Sequence, residues 1–179
     1  AELVQRASAG MDMIRSGDYD TGQPPRESTW NPGDNLNILC KIELPQLANR
    51  AIRDVVSSPE IGRWVAAATG ASMVQVFWVQ FLFKPPAPED PEAYSKIGWH
   101  QDHNYWNTTW ENGSQMLTAW LALSDVNGDS GPMTFVRGSH HWGIVEGSDF
   151  FGQDLDPDAV QRPADSEWVE MPAQMPAGA

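Results

Sequence analysis

Cations are scarce in this chain. Only 11 of its 179 residues are Lys or Arg, against 24 Asp or Glu, so the formal net charge is −13. Such a surface repels phosphate backbones and anionic bilayers, so neither nucleic acid nor a membrane is an expected partner. Cysteine is nearly missing: Cys40 stands alone, which excludes an internal disulfide and a cysteine-built zinc cage. No apolar run approaches the roughly 20 residues of a membrane span, and the first residues do not read as the basic, apolar, small-residue pattern of a secretory signal. The expected location is cytoplasmic, where the Asn-x-Ser/Thr sequences at Asn107 and Asn112 would carry no sugar. Aromatics, by contrast, are plentiful. Nine Trp and six Phe within a 41% hydrophobic composition exclude a disordered chain and suffice for one domain with a core.

The first 70 residues read as helical. Leu3, Val4, Ala7, Met11 and Ile14 recur at three- and four-residue spacing, which predicts an amphipathic helix over 1–15 closed by Gly17. Residues 18–35 are rich in Gly, Pro, Asp and Asn and predict loop. Pro45 suits the first turn of a second helix running to Val56. Ser58-Pro59-Glu60 combines a cap, a first-turn proline and an early carboxylate, predicting a third helix over 59–68 stopped at Gly70.

From Ser72 the period becomes two. Val74, Val76, Trp78, Gln80 and Leu82 alternate with Gln75, Phe77, Val79, Phe81 and Phe83, predicting a strand covered on both faces. Further strands are expected at 97–102, 115–123, 133–136 and 167–171, with a turn at 127–132. The acidic stretches after Pro86 and over 146–167 read as solvated loops. Helices followed by short strands point to an α+β chain whose strands form a sandwich or barrel. Met175-Pro176-Ala177-Gly178-Ala179 reads as the run into another element, so the chain is expected to be a piece of a single domain.

The sharpest feature is Gly98-Trp99-His100-Gln101-Asp102-His103-Asn104-Tyr105-Trp106. On an extended segment a His and an Asp two residues apart point to the same side. They supply two corners of the two-His, one-carboxylate triad that holds Fe(II) and leaves positions open for cosubstrate and oxygen. An isolated His-x-Asp is also common in polar surface loops, and context decides between the two readings.

That context is a set of linked segments in one order: Gln80-Phe81-Leu82-Phe83-Lys84-Pro85-Pro86, the His100 segment, Thr118-Ala119-Trp120-Leu121-Ala122-Leu123, and Gly131-Pro132-Met133 with Gly138-Ser139-His140. Together they resemble the phytanoyl-CoA dioxygenase family, with Gly17 to Gly22 and Pro24-Pro25 resembling a bacterial branch. The resemblance implies a mostly β jelly-roll, or double-stranded β-helix (cupin-like) barrel, with N-terminal helices: one oxygenase domain over 1–179, helical over 1–70 and part of the barrel over 71–179. It implies Fe(II), with 2-oxoglutarate and O2 as cosubstrates, and hydroxylation of a small organic substrate with release of succinate and CO2. It further implies His100 and Asp102 as metal ligands and catalytic residues. A distal His and a 2-oxoglutarate-binding Arg are then expected beyond residue 179, so residues 1–179 alone are expected to be inactive.

The same resemblance gives Gln80, Thr118 and Trp120 contacts with cosubstrate. The residues themselves leave alternatives open, namely a polar group satisfied in the sheet for Gln80 and core packing for Trp120. His103, Tyr105 and Trp106, with Asn104 among them, are expected at the pocket mouth facing substrate; for Trp106 ordinary packing is equally open. Lys84 reads as a solvated strand-end lysine, His140 and His141 receive no metal role, and Cys40 reads as a small buried hydrophobe. The rival readings are a non-redox metal enzyme using Zn or Mn, and a non-catalytic ligand-binding jelly-roll protein.

Overall fold

The structure, a computed structural model, describes residues 2–28, 30–85, 97–106, 109–111, 113–146 and 155–179. Asn107, Asn112 and the acidic stretches 86–96 and 147–154 lie outside the described residues. These divide into two compact units, each described by itself.

The first unit takes described residues from 1–95, 119–131 and 174–179. Helix α1 spans Glu2–Arg15 and buries Ala7, Gly10, Met11 and Ile14, the predicted stripe. Gly17 follows in the left-handed region at φ 83°. A three-stranded antiparallel sheet is ordered β1 (Glu27–Ser28), β2 (Cys40–Glu43) and β3 (Gln80–Phe83). Its register pairs Cys40 with Phe83 and Glu43 with Gln80. Neither β1 nor β2 is expected from the sequence, because four residues are too few to display a period.

The second predicted helix divides in two. Pro45–Leu47 forms a 3-10 turn, and α2 starts afresh at Arg50–Val56. Asn49 causes the break: its side chain accepts the Ile52 amide at 3.2 Å, capping α2. Helix α3, Pro59–Thr69, has the predicted Ser58 cap and Gly70 in the left-handed region at φ 70°. The core packs Ala7, Met11 and Ile14 against Ile42, Ile52, Val55 and Phe81, with Trp30 and the fully buried Cys40. Arg15 closes one end, its guanidinium 3.9 Å from the Phe83 ring centroid and 5.3 Å from that of Trp30.

The second unit takes described residues from 96–118 and 132–173. It holds the one-turn helix α4 (Asp102–Trp106) and a two-stranded antiparallel ladder of β4 (Thr134–Val136) and β5 (Glu170–Pro172). Trp168 meets Trp99 edge-on at 5.3 Å and lies 6.2 Å from Trp142. Gly138, left-handed at φ 80°, starts a 3-10 turn at Ser139–His141.

Several expected strands are corrected. Only 80–83 of the alternating run 72–83 enters a ladder. Val76, Phe77 and Trp78 are 52%, 45% and 40% exposed, so that run is not covered on both faces. Alternation describes an extended chain, whereas a strand also needs a neighbour for its backbone N–H and C=O groups. Residues 97–101 form no strand, and Asp102 begins a helix instead. Of 115–123, the end near Ala122 is where a backbone partner is found among the described residues: Gly178 donates to the Ala122 carbonyl at 2.8 Å, and beyond it Val126 bridges Met175. The described residues therefore form two small antiparallel sheets and no closed barrel.

Candidate metal site

The site grows from the loop that leads into α4. Gly98 lends its carbonyl to His100, whose Nδ1 lies 2.8 Å away. A carbonyl only accepts, so a proton sits on Nδ1, and Nε2 is the nitrogen turned toward Asp102. Nε2 lies 3.5 Å from Asp102 Oδ1. Two groups of different chemistry, an imidazole nitrogen and a carboxylate oxygen, thus converge without an extended segment; the loop and the first turn of α4 bring them together.

Thr118 completes the arrangement. Its hydroxyl donates to Asp102 Oδ2 at 2.5 Å, which leaves Oδ1 as the oxygen turned to the imidazole. Asp102, first through its bond with His100, then the Gly98 carbonyl, hold the imidazole above its ordinary pKa against the opposing effect of burial. Reciprocally, His100 and then Thr118 hold the Asp102 carboxyl below its ordinary pKa, again against burial. Without a metal the pair is a neutralised acid–base couple; its mutual attraction is what a cation between the two would replace.

The donor set fits iron(II) at two corners. An oriented Nε2 with its other nitrogen spent on a carbonyl, and a carboxylate with one oxygen held by a hydroxyl, match how metal-binding His and Asp are held from behind. Among the described residues, no group of three His, Cys, Asp or Glu comes together.

The other candidate residues are placed as follows. Tyr105 on α4 is 43% exposed, with its ring edge-on to His100 at 6.4 Å. His103 is exposed and Trp106 half-buried on the same turn. Gln80 belongs to the first unit: it is exposed, and its amide donates to Glu43 Oε1 at 3.1 Å. Glu43 also accepts the Trp78 indole N–H at 2.5 Å and pairs with Lys41 at 3.1 Å. Trp120 also belongs to the first unit and is 37% exposed. The Lys84 amine donates to the Gly131 carbonyl at 3.3 Å, and burial lowers its pKa, so it is not simply solvated. The His140 and His141 rings lie against each other at 3.8 Å. An open depression in the second unit, lined by Arg137, His141, Trp142, Asp165 and Glu167, contains neither His100 nor Asp102.

Sequence reasoning missed the backing contacts. Nothing in Gly98 announces a carbonyl aimed at an imidazole, and nothing in Thr118 announces a hydroxyl bonded to Asp102. Glu43 was missed because β2 was.

The family model described as phytanoyl-CoA dioxygenase (PhyH) matches residues 23–179, most of the chain. The chain belongs to the phytanoyl-CoA dioxygenase family. That family is generally one of Fe(II)- and 2-oxoglutarate-dependent oxygenases, and it implies a cupin-like jelly-roll fold. No curated protein and no solved structure matches the chain. No described helix is long and apolar enough to cross a membrane.

Proposed function

We propose that this phytanoyl-CoA dioxygenase family member is a non-haem hydroxylase of a small organic molecule, with His100 and Asp102 as two protein ligands of Fe(II). One observation carries the reading: within a family of such oxygenases, His100 Nε2 and Asp102 Oδ1 face each other at 3.5 Å with their far atoms tied to Gly98 and Thr118. Bound there, iron(II) with 2-oxoglutarate and oxygen supplies the oxidising chemistry, and succinate and CO2 are released.

The protein's own work is to bind and orient. The Gly98 carbonyl holds a proton on His100 Nδ1, so Nε2 is the nitrogen that would give its lone pair to a metal. Thr118 holds Asp102 Oδ2, so the carboxylate presents one oxygen and its charge. Tyr105 stands beside the imidazole and offers a flat apolar wall with one polar handle; substrate contact by His103, Tyr105 and Trp106 is part of this proposal. Cosubstrate contact by Gln80 and Trp120 is proposed from family membership. For Thr118 the geometry supports orienting Asp102.

The test is oxygen uptake with 2-oxoglutarate by the full-length protein supplied with Fe(II), Zn(II) or Mn(II) in turn. The expected result is 2-oxoglutarate-dependent uptake with matching succinate for iron only. Turnover with zinc or manganese and no oxygen consumption would establish a non-redox metal enzyme in its place.

A further inference from the structure

We infer that Gln101 is a positioning residue for the His100–Asp102 pair, a role that rests on the metal reading above. Its carboxamide straps the segment carrying both ligands to the segment 143–145. The Gln101 Nε2 donates to the Gly143 carbonyl at 2.8 Å, and the Val145 amide donates to Gln101 Oε1 at 2.7 Å. One donor and one acceptor are used together, as a peptide group uses them in a strand ladder. This pairing also sets the amide orientation, because a flipped carboxamide would set donor against donor and acceptor against acceptor.

The strap matters because the ligand segment has little structure of its own. Residues 97–101 belong to no helix or strand, and Gln101 lies between the two ligands in sequence. The surface it grips is better built. The 3-10 turn at Ser139–His141 follows β4, closed by bonds from His141 to Gly138 and from Trp142 to Ser139. Gly143 then takes φ 78°, a conformation costly for any residue with a Cβ, and presents its carbonyl to Gln101. Position therefore passes from β4 through this turn to Gln101, and on to His100 and Asp102. Both polar ends of the carboxamide are committed, so Gln101 acts through its neighbours rather than by touching a ligand.

The experiment is a Co(II) titration of the full-length protein, read by the visible absorption of the bound ion and by its dissociation constant. Gln101→Met keeps the length and removes both hydrogen bonds. Its Co(II) affinity is expected to fall about 10- to 100-fold, the range for losing a group that holds a ligand from behind, with a changed absorption spectrum. Gln101→Glu keeps an acceptor for Val145 but sets a carboxylate oxygen against the Gly143 carbonyl, so it should fall between wild type and Gln101→Met. It also carries the test if Gln101→Met does not fold. Ser166→Ala removes a side-chain bond to the Pro163 carbonyl in the same unit and should bind Co(II) as wild type does, which separates positioning from general loosening. Wild-type affinity and spectrum in a folded Gln101 variant overturn the inference and leave the metal site standing. Absence of Co(II) binding by the wild type overturns both.

Discussion

At the scale of single residues, the candidate site is His100 and Asp102, the proposed ligands, each held from behind by one neutral group. Thr118→Val keeps the shape and removes the hydroxyl that fixes Asp102 Oδ2. Iron affinity should drop by about tenfold while the melting temperature stays near wild type, both read on the same preparation; unchanged affinity would mean that Asp102 needs no orienting. Asp102→Asn should bind more weakly than wild type and better than Asp102→Ala, since Asn keeps an oxygen but loses the charge. Cys40 provides a test away from the site. Burial raises its thiol from 9.0 to about 11, offset in part by Arg15. A folded-state pKa above the unfolded one gives stability that is present below the unfolded value and lost as pH rises toward the folded one. Between about pH 9 and 11 the unfolded thiol ionises first. Stability measured by denaturant should therefore decline across that window more steeply in wild type than in Cys40→Ala. Parallel curves would contradict the assignment.

Among the elements, α1 and α2 meet where Gly10 lies against Asn49. A Cβ at residue 10 would collide with the Asn49 side chain, which also caps α2. Gly10→Ala should therefore destabilise the protein although Ala favours helix. Asn49→Ala should cost about 1–2 kcal/mol for the lost cap. Chemical denaturation of both variants checks this, and a stabilised Gly10→Ala would show that the helices do not approach so closely. The elements legible in the sequence are those whose cause is local. The stripe from Leu3 to Ile14 and the Ser58-Pro59 start act within a few residues, so α1 and α3 form where they are expected. Strands depend on a distant neighbour, so the alternation of 72–83 predicts three times the strand that exists, and Cys40–Glu43 pairs with β3 without any alternation long enough to read. His100 and Asp102 were legible as a pair because family context singles them out. Their meeting through a loop and a helix start, rather than a strand end, was not, since two-residue spacing predicts orientation only on an extended chain.

For the whole molecule, family membership rests on residues 23–179, and so spans both units. It joins segments far apart in sequence, among which Thr118 meets Asp102 and Lys84 meets Gly131 in described side-chain hydrogen bonds. The net charge of −13 gives the surface a repulsive field for anions, screened over about 10 Å at 0.1 M salt. An anionic cosubstrate such as 2-oxoglutarate would then arrive faster as salt rises. The apparent KM for 2-oxoglutarate should therefore fall modestly between low and physiological ionic strength, and a rise would indicate a locally cationic entrance. The central claim is that His100 and Asp102 hold iron. Its most direct test is an anaerobic Fe(II) titration of wild type, His100→Ala and Asp102→Ala, each shown by circular dichroism to be folded. The account predicts one iron per wild-type chain and a loss of affinity of about 100-fold or more in each variant, larger than the effect of removing a group behind a ligand; one tightly bound iron in either folded variant would contradict it.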